Sequence, residues 1–404
     1  MKRRCMFLLI FVIFLFGFSK PLPSLNVRIE FENDKIAIIS NSLASLTNKL
    51  LPIDEENAIF SPLSLYFCLS LMAETLDEAT VLELLDFLEV GSILDMRNIN
   101  SAIMDAYIDN SLAKEFKFKN FLFRDRQIQQ QNLYNEELIG ELKTIYKISD
   151  HVIDLQKDGL NEIIKAVNEA TNNFLKITND GNSKYYHSES ANVLLNVLYF
   201  YDHWNEKFKR SEVGEMNFIN SQNELVKTNA LLGKREGLYY IDDDLGFAVG
   251  TLAFNKGAKM YFILPHEQKS LEEIIASDII TDLVMGNLEL VDAQINYRIP
   301  KFDINYKFEI TNALKNLGLT SIFSEQKSSP FYYGSNYFYD EIYQQSRVLL
   351  DEDGVKAAAA TMSVGCAAKA PISLEVSLFL ERPFLYLIMA PQKIILFSGI
   401  VNQF

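Results

Sequence analysis

Four histidines and three cysteines are the side chains of this sequence best suited to nucleophilic, acid–base or metal chemistry, and they are widely scattered. No histidine has a second histidine or a cysteine at a spacing typical of metal ligands. The motifs G-x-S-x-G, G-x-x-x-x-G-K-[ST], G-x-G-x-x-G, H-E-x-x-H and C-x-x-C are also absent. We therefore predict no catalytic residue, no metal site and no cofactor. The histidines, for which we expect ordinary surface or core positions, are His151, His187, His203 and His266.

The three cysteines cannot build a disulfide framework. Cys5 lies in an apolar N-terminal segment, and Cys68 lies in an apolar helical run where we expect a core residue. Cys366 lies among small and polar residues, where we expect an exposed thiol. Nothing in their positions predicts that Cys68 pairs with Cys366.

The segment 355–371, VKAAAATMSVGCAAKAP, fits neither a core element nor an ordinary turn. It lies between a strand predicted at 348–350 and a strand pattern that resumes at Ile372. Connections of this length are uncommon inside a compact domain and are usually functional or disordered. A flexible loop or an alanine-rich helical turn is the alternative interpretation, because alanine is the best helix former.

Alternate residues of this segment share one property, which is that they are small and uncharged. Successive side chains of a strand point to opposite faces. The segment could therefore become a strand that buries this set and leaves Lys356 in water. A charge in the buried set would obstruct that arrangement, and none is present. The set is Val355, Ala357, Ala359, Thr361, Ser363 and Gly365.

The elements that must hold this segment are predicted as helices first and strands later. Apolar residues at three- and four-residue spacing indicate amphipathic helices, and Ser61 before Pro62 is a typical helix start. The predicted helices cover 65–76, 81–88, 128–147 and 159–176.

Three apolar runs predict the main strands. Residues 191–201 are almost continuously apolar, which indicates a strand buried on both faces. The runs 384–390 and 394–401 are separated by three residues and predict a hairpin. Helices before strands favour an α+β protein with large sheets. The absence of a linker, a low-complexity run or a repeat favours a single domain.

The N-terminus predicts a secretory signal peptide over residues 1–19. Residues 2–4 are basic, residues 6–18 are apolar, and Ser19 precedes the expected cut. A membrane anchor is disfavoured because the apolar core is shorter than the about 20 residues that span a bilayer. No later stretch is long and apolar enough to span. We therefore expect a secreted, extracellular protein whose single domain covers 20–404.

The formal net charge of −15 argues against nucleic acid as a partner. One basic stretch, interleaved with phenylalanines, is a candidate site for a polyanion such as a glycosaminoglycan. A strand with solvated charges on one face is the favoured interpretation of the same residues. The basic side chains are Lys114, Lys117, Lys119, Arg124 and Arg126.

Several segments together resemble the serpins, a family of serine protease inhibitors. GVKAAAAT, at 354–361, resembles the serpin hinge, whose usual form is Gly-Thr-Glu followed by small residues and threonine. The matches occur in the family's order across about residues 35–404. The other segments are NAIFSPLSL (57–65), LLNVLYFYDHW (194–204), RIPKF (298–302) with LKNLGLTSIF (314–323), and FLERPFLYLI (379–388).

The resemblance implies the serpin fold, with three β-sheets, about eight to nine helices and an exposed reactive-centre loop at about 354–371. It also implies that the protein inhibits a serine protease by acting as its suicide substrate. An elastase-like or trypsin-like serine protease would cut the loop and be held as a covalent acyl-enzyme. The loop would then insert from Val355 onward as a new strand of the main sheet. Counting along the hinge gives Ala368–Lys369 as the reactive bond, with Lys369–Ala370 as the alternative, and we expect a monomer.

The resemblance also assigns roles to individual residues. The implied hinge comprises Glu352, Gly354, Val355, Ala357, Ala358, Ala359, Ala360 and Thr361. The implied sheet-opening switch comprises Ser61, Ser64, Asn196, Gln344 and Trp204. The departures from the family are Val355 for threonine, Lys356 for glutamate, Gln344 for a common histidine and Glu381 for aspartate or asparagine. Glutamine can still donate and accept hydrogen bonds.

The alternative function is a non-inhibitory serpin acting as a carrier, chaperone or binding protein, and the four consecutive alanines favour inhibition.

Overall fold

The computed structural model describes residues 24–107, 116–157, 159–171, 173–175, 192–200, 202–326, 328–334, 337–339, 342–355 and 374–404. Several predictions fall outside these residues and stay predictions. They are the signal peptide over 1–19, His187, Cys366, the hinge residues Ala357, Ala358, Ala359, Ala360 and Thr361, and the reactive bond at Ala368, Lys369 and Ala370.

Ten α-helices lie in the described part of the chain, one or two more than expected. The predicted start of the second is confirmed, because the Ser61 hydroxyl accepts a hydrogen bond from the Ser64 amide and Pro62 occupies the first turn. The helices are α1 (Ser24–Leu50), α2 (Pro62–Ala73), α3 (Glu78–Phe87), α4 (Ile93–Tyr107), α5 (Arg126–Gln130), α6 (Glu136–Ile145), α7 (Gly159–Ala170), α8 (Leu271–Ala276), α9 (Ile279–Met285) and α10 (Thr311–Asn316).

The single helix predicted over 128–147 is wrong, because two helices occupy this stretch. The backbone turns at Asn132, which has a φ of 56°, a conformation that asparagine tolerates better than most residues. Asn135 then caps α6 by accepting from the Leu138 amide. The amide of Asn135 donates to the carbonyl of Phe331. A segment far away in the sequence therefore stabilises the break between the two helices. A tertiary contact of this kind leaves no periodic signal in the local sequence.

The strands form three hydrogen-bonded sheets, which confirms the predicted α+β class. The hairpin predicted near the C-terminus is also confirmed as β15 and β16. The strands are β1 (Asn57–Phe60), β2 (Phe116–Asp125), β3 (Ser149–Ile153), β4 (Asn192–Phe200), β5 (Asp202–His203), β6 (Val213–Ile219), β7 (Leu225–Asp242), β8 (Phe247–Ala253), β9 (Lys259–Pro265), β10 (Val291–Pro300), β11 (Phe302–Glu309), β12 (Tyr343–Asp351), β13 (Gly354–Val355), β14 (Glu375–Phe379), β15 (Phe384–Ala390) and β16 (Ile394–Val401).

The order of strands leaves two of these sheets side by side. The largest sheet runs β1-β16-β15-β9-β8-β7-β10-β14, with β6 paired to β7. The second runs β11-β12-β13-β5 and the third runs β3-β2-β4. Among the described residues, no ladder joins β4 to β12. The space between these two strands, here called the strand gap, is spanned at its upper end by β13 and β5.

Two apolar layers hold the edges of the strand gap. On the inner side, the almost entirely buried α2 packs against both β4 and β16. On the outer side, α7 lies on β2 and β4, and Ile163 and Val167 pack against Phe121, Phe123 and Val197. The start of β4, however, is half-buried, although its composition predicted burial on both faces.

No helix in the described ranges has the length and apolar character needed to cross a membrane.

Candidate functional site

Two of the hinge residues, Gly354 and Val355, lie at the upper end of the strand gap. Gly354 and Val355 pair antiparallel with Asp351 and Leu350 on one side. On the other side they pair antiparallel with His203 and Asp202. The Val355 side chain is only 3% exposed. The buried set predicted from the alternation of 355–365 therefore begins with a residue that is buried.

Gly354 is required by its surroundings as well as by its backbone. Its φ is +144°, which side chains rarely adopt. A Cβ at this position would lie 2.4 Å from the carbonyl oxygen of Asp202 and 2.7 Å from the Cα of His203. Both atoms belong to backbone that is fixed in β5. Only glycine can therefore pass between β12 and β5 at this point.

Trp204 anchors the turn that leads into the hinge. Its indole Nε1 donates to the carbonyl oxygen of Asp351 at 2.9 Å, and its amide donates to the carbonyl oxygen of Asp353 at 3.1 Å. The ring is 1% exposed and stacks on Phe254 with 4.6 Å between ring centroids. Trp204 thus holds the turn that precedes Gly354, and it lies at the hinge rather than beside the other predicted switch residues.

Two ion pairs hold the same turn to the body of the molecule. Glu352 accepts from the Lys301 ammonium at 2.5 Å, and Asp353 accepts from the Lys207 ammonium at 2.9 Å. The hydrogen bond from Lys301 lowers the pKa of Glu352 below its ordinary value. Glu352 and Lys301 are both partly exposed. Solvent therefore screens this ion pair, which contributes only modestly to the stability of the fold.

We expect Glu352→Gln to weaken folding only where the carboxylate is charged. A lowered carboxyl pKa stabilises the fold above the unfolded-state value of about 4.3, and the stabilisation disappears as the pH falls through the folded-state pKa. The variant should lose no more than ~1 kcal/mol of unfolding free energy at pH 7, and should match wild type in acid. Denaturant unfolding across pH measures this. Glu215→Gln is the control, because the Glu215–Lys227 pair is 3.8 Å apart and largely exposed. A loss that does not vary with pH would contradict the prediction.

Below the hinge, the strand gap contains a cavity of about 90 Å³. Its walls come from β4 on one side and from the start of β12 on the other. Apolar side chains of α2 and α7 close it from the inner and outer faces. The main lining side chains are Leu65, Cys68, Ile163, Val167, Leu194, Asn196, Leu198, Ile342 and Gln344. The space runs along the path that an added strand would follow.

Ser61, Ser64 and Gln344 form one hydrogen-bonded cluster beside this cavity. The Gln344 Oε1 accepts from the Ser61 amide at 2.7 Å, and the Gln344 Nε2 donates to the Ser61 carbonyl at 2.8 Å. The Ser61 hydroxyl donates to the carbonyl of Leu396 at 2.7 Å. Glutamine makes a two-point contact here because it donates and accepts at once. The cluster ties β12 to the start of α2 and to β16.

We expect Gln344→Ala to lower the free energy of unfolding by about 1–3 kcal/mol, because it leaves the buried amide of Ser61 without an acceptor, whereas the Ser61 carbonyl still accepts from the Leu65 amide at 3.2 Å. Denaturant unfolding measures this value. Gln345→Ala is the matched control, since the Gln345 side chain is only partly buried and donates to Asn305 at 3.3 Å. We expect the control to change stability by less than ~0.5 kcal/mol. Equal losses in both variants would contradict a specific role for Gln344.

Asn196 lies on the opposite wall and is turned away from this cluster. Its Nδ2 donates to the Oδ1 of Asn120 on β2 at 2.7 Å, and Asn120 donates to the carbonyl of Tyr146 at 2.8 Å. Within the described residues, the Asn196 Oδ1 is buried without a hydrogen-bond partner. The structure therefore brings three of the predicted switch residues together and leaves Asn196 with an unused acceptor facing the gap region.

A protein-family model described as serpin (serine protease inhibitor) matches residues 40–404. The chain belongs to the serpin family. A curated relative, Serpin-ZX of Arabidopsis thaliana, is 28% identical over 76% of this chain and 81% of its own length. Iripin-1 of Ixodes ricinus is 26% identical over 92% of this chain and 95% of its own length. The family assignment agrees with the order of the sequence motifs.

The solved structures confirm the serpin fold. The native stressed conformation of Arabidopsis AtSerpin1 has a TM-score of 0.73 at 23% identity, covering 92% of this chain and 98% of its own. Human thyroxine-binding globulin in complex with its ligand has a TM-score of 0.76 at 19% identity, covering 92% and 99%. The fold thus occurs both in a serpin in its native stressed conformation and in a thyroxine-binding globulin.

Two residues of this serpin differ from what the sequence led us to expect. Arg124, taken as part of a solvated basic face, is buried and pairs with Glu136 at 2.7 Å and with Asp150 at 2.8 Å. It therefore cannot contribute a free charge to a polyanion site. Cys68 lies at the cavity wall rather than wholly within the core, and burial raises the pKa of its thiol to about 12.

Sequence reasoning missed Lys301 and Asn120. Lys301 is the last residue but one of the RIPKF segment, and no spacing rule links it to Glu352. Asn120 carried a usable signal, because it is a polar residue on the same face of β2 as the apolar residues Phe118 and Leu122. A buried asparagine at such a position needs a partner, and that partner is Asn196.

Proposed function

We propose that this serpin is a secreted, extracellular inhibitor of serine proteases that acts as a suicide substrate. The observation that carries the proposal is the entry of Gly354 and Val355 between β12 and β5 above an unfilled strand gap. The chain that follows has small, uncharged residues at every second position through Gly365. A hinge at the mouth of a gap and a chain shaped to fill it favour inhibition over a carrier role.

The reaction begins with the reactive-centre loop bound as a substrate. The serine hydroxyl of the protease attacks the carbonyl carbon of Ala368, and the Ala368–Lys369 bond breaks. A serine ester forms on Ala368, and the proton passes to the new amine of Lys369. A small residue at this position suits an elastase-like protease. Cleavage at Lys369–Ala370 is the alternative and suits a trypsin-like protease.

The register at the hinge indicates how the freed loop would advance. Val355 lies opposite Leu350 and Asp202. Continued antiparallel pairing brings Thr361 opposite Gln344 and Asn196. The Thr361 hydroxyl could then donate to the buried Oδ1 of Asn196, which has no partner in the described structure. This match between the loop and both walls supports insertion along the strand gap.

The free energy gained by inserting the loop is large enough to trap the protease. A strand of roughly ten residues adds about ten net backbone hydrogen bonds at ~1 kcal/mol each. The total is on the order of 10 kcal/mol, similar to the about 5–15 kcal/mol that stabilises a whole domain. Insertion could therefore distort the attached protease before water hydrolyses the ester.

The test is to incubate the purified mature protein with elastase and with trypsin, and to sequence the peptide that is released. A covalent band near the summed masses on a denaturing gel supports the proposal. The first residue of the peptide, Lys369 or Ala370, identifies the bond. Clean cleavage without a covalent band across a wider protease panel would contradict inhibition and favour the carrier alternative.

A further inference from the structure

An aromatic segment crosses the lower end of the strand gap, where β4 begins. It follows α10 and leads into β12, and in the described part it includes Phe331, Tyr332, Tyr337 and Tyr339. The Tyr337 ring lies 6.1 Å from Phe331, 5.6 Å from Tyr332 and 5.7 Å from Tyr339 between centroids. The Tyr337 side chain is buried. The segment is therefore a packed element with one face toward the gap.

The hydroxyl of Tyr337 links the two sides of the gap at this end. It lies 3.2 Å from the Oδ1 of Asn192, the first residue of β4, and 3.1 Å from the hydroxyl of Tyr339. The Tyr339 hydroxyl lies 2.8 Å from the hydroxyl of Thr75, just beyond α2. Tyr337 thus joins β4 to the segment that continues into β12, whereas Tyr339 joins that segment to the helical layer.

The register of the hinge brings the advancing loop to this contact. Continuing the antiparallel pairing of Val355 with Asp202 along β4 places Gly365 opposite Asn192. A strand that stops at Ser363 fits above the contact. A strand that carries the acylated Ala368 to the lower end has to separate Tyr337 from Asn192.

We propose that the Tyr337–Asn192 hydrogen bond is a clasp that closes the lower end of the strand gap and limits the last steps of loop insertion. The proposal rests on the insertion mechanism proposed above and adds a positioning residue to it. The clasp keeps β4 and β12 together while the loop is uncut. It opens only when the inserted strand passes Ser363.

The test uses synthetic loop peptides, so that it does not depend on any protease. An acetylated, fluorescent peptide with the sequence of residues 357–368 extends past the clasp, and a shorter peptide of residues 357–363 stops above it. Incorporation into the intact protein is followed over time on native gels. Tyr337→Phe keeps the ring but removes the hydroxyl. Tyr332→Phe is the control, because the Tyr332 ring packs on Tyr337 with 5.6 Å between centroids but its hydroxyl takes no part in the contacts of the Tyr337 hydroxyl with Asn192 and Tyr339.

We expect Tyr337→Phe to incorporate the long peptide about fivefold faster than wild type, the factor expected from the loss of one typical hydrogen bond. The short peptide should incorporate at the wild-type rate, and Tyr332→Phe should change neither rate. Asn192→Ala should accelerate the long peptide too, and the double variant should add nothing to the single ones.

Two results would overturn the clasp in different ways. If Tyr337→Phe leaves the rate for the long peptide unchanged, or speeds both peptides equally, the clasp is wrong while the strand gap still accepts a strand. If neither peptide enters any variant, the gap does not accept a strand. In that case the clasp and the insertion mechanism of the proposed function fail together.

Discussion

We expect Ala357→Arg to convert the protein from an inhibitor into a substrate. Ala357 follows Val355 in the set whose first side chain is 3% exposed, so its side chain would enter the gap toward α2. Burying an unpaired charge costs several kcal/mol, which should slow insertion by ~100-fold or more. Hydrolysis of the acyl-enzyme would then be faster than loop insertion. Titrating the protease against the variant should show tens of molecules cleaved for each protease trapped.

The matched control is Ala358→Arg, which adds the same side chain one residue later. Alternate residues of a strand face opposite sides, so this arginine would lie on the outer face, where we also expect Lys356. We expect the control to trap the protease at close to one molecule per enzyme. If both variants trap normally, or if both become substrates, the assignment of faces that underlies the mechanism is wrong.

Gly354→Ala should have a comparable effect for a steric reason. A Cβ would lie 2.4 Å from the Asp202 carbonyl oxygen, closer than real Cβ atoms approach, and the backbone has a φ of +144°. The hinge should therefore leave its position between β12 and β5. Strain of this kind costs about 1–3 kcal/mol, and an inserted loop would have to pass the same point. We expect lower stability and cleavage without trapping.

Gly318→Ala separates the effect of the clash from that of an unfavourable backbone conformation. Gly318 also has a positive φ, of +95°, but a Cβ there meets nothing within 4 Å. We expect this control to lose some stability yet to form the covalent complex normally. Complex formation by Gly354→Ala at the wild-type rate would show that the hinge does not need its docked position.

The sequence predicted those parts of the site that depend on local pattern. Alternation placed Val355 in the buried set, and the proline after Ser61 placed the start of α2. Contacts between distant segments left no such signal. The break between α5 and α6 depends on Phe331, the Glu352 pair depends on Lys301, and the clasp depends on Asn192 and Tyr337. Each joins residues far apart in the chain, so only the folded structure reveals them.

The half-buried start of β4 is another difference between the prediction from the sequence and the structure. Its apolar composition predicted a strand buried on both faces, and the described structure leaves the edge toward β12 unpaired. Such an edge is normally a liability, because it can pair with another chain. In this protein the composition of β4 suits the state in which a strand has been added.

Hydrogen exchange of β4 and β12, measured before and after reaction with the target protease, tests insertion most directly. In the intact protein, the amides that face the strand gap should exchange faster than those paired to β2 and β11. After trapping, alternate amides over 192–200 and 343–351 should become protected, because the loop now supplies their partners. Unchanged exchange in both strands after the loop has been cut would contradict insertion, and with it the proposed mechanism of inhibition.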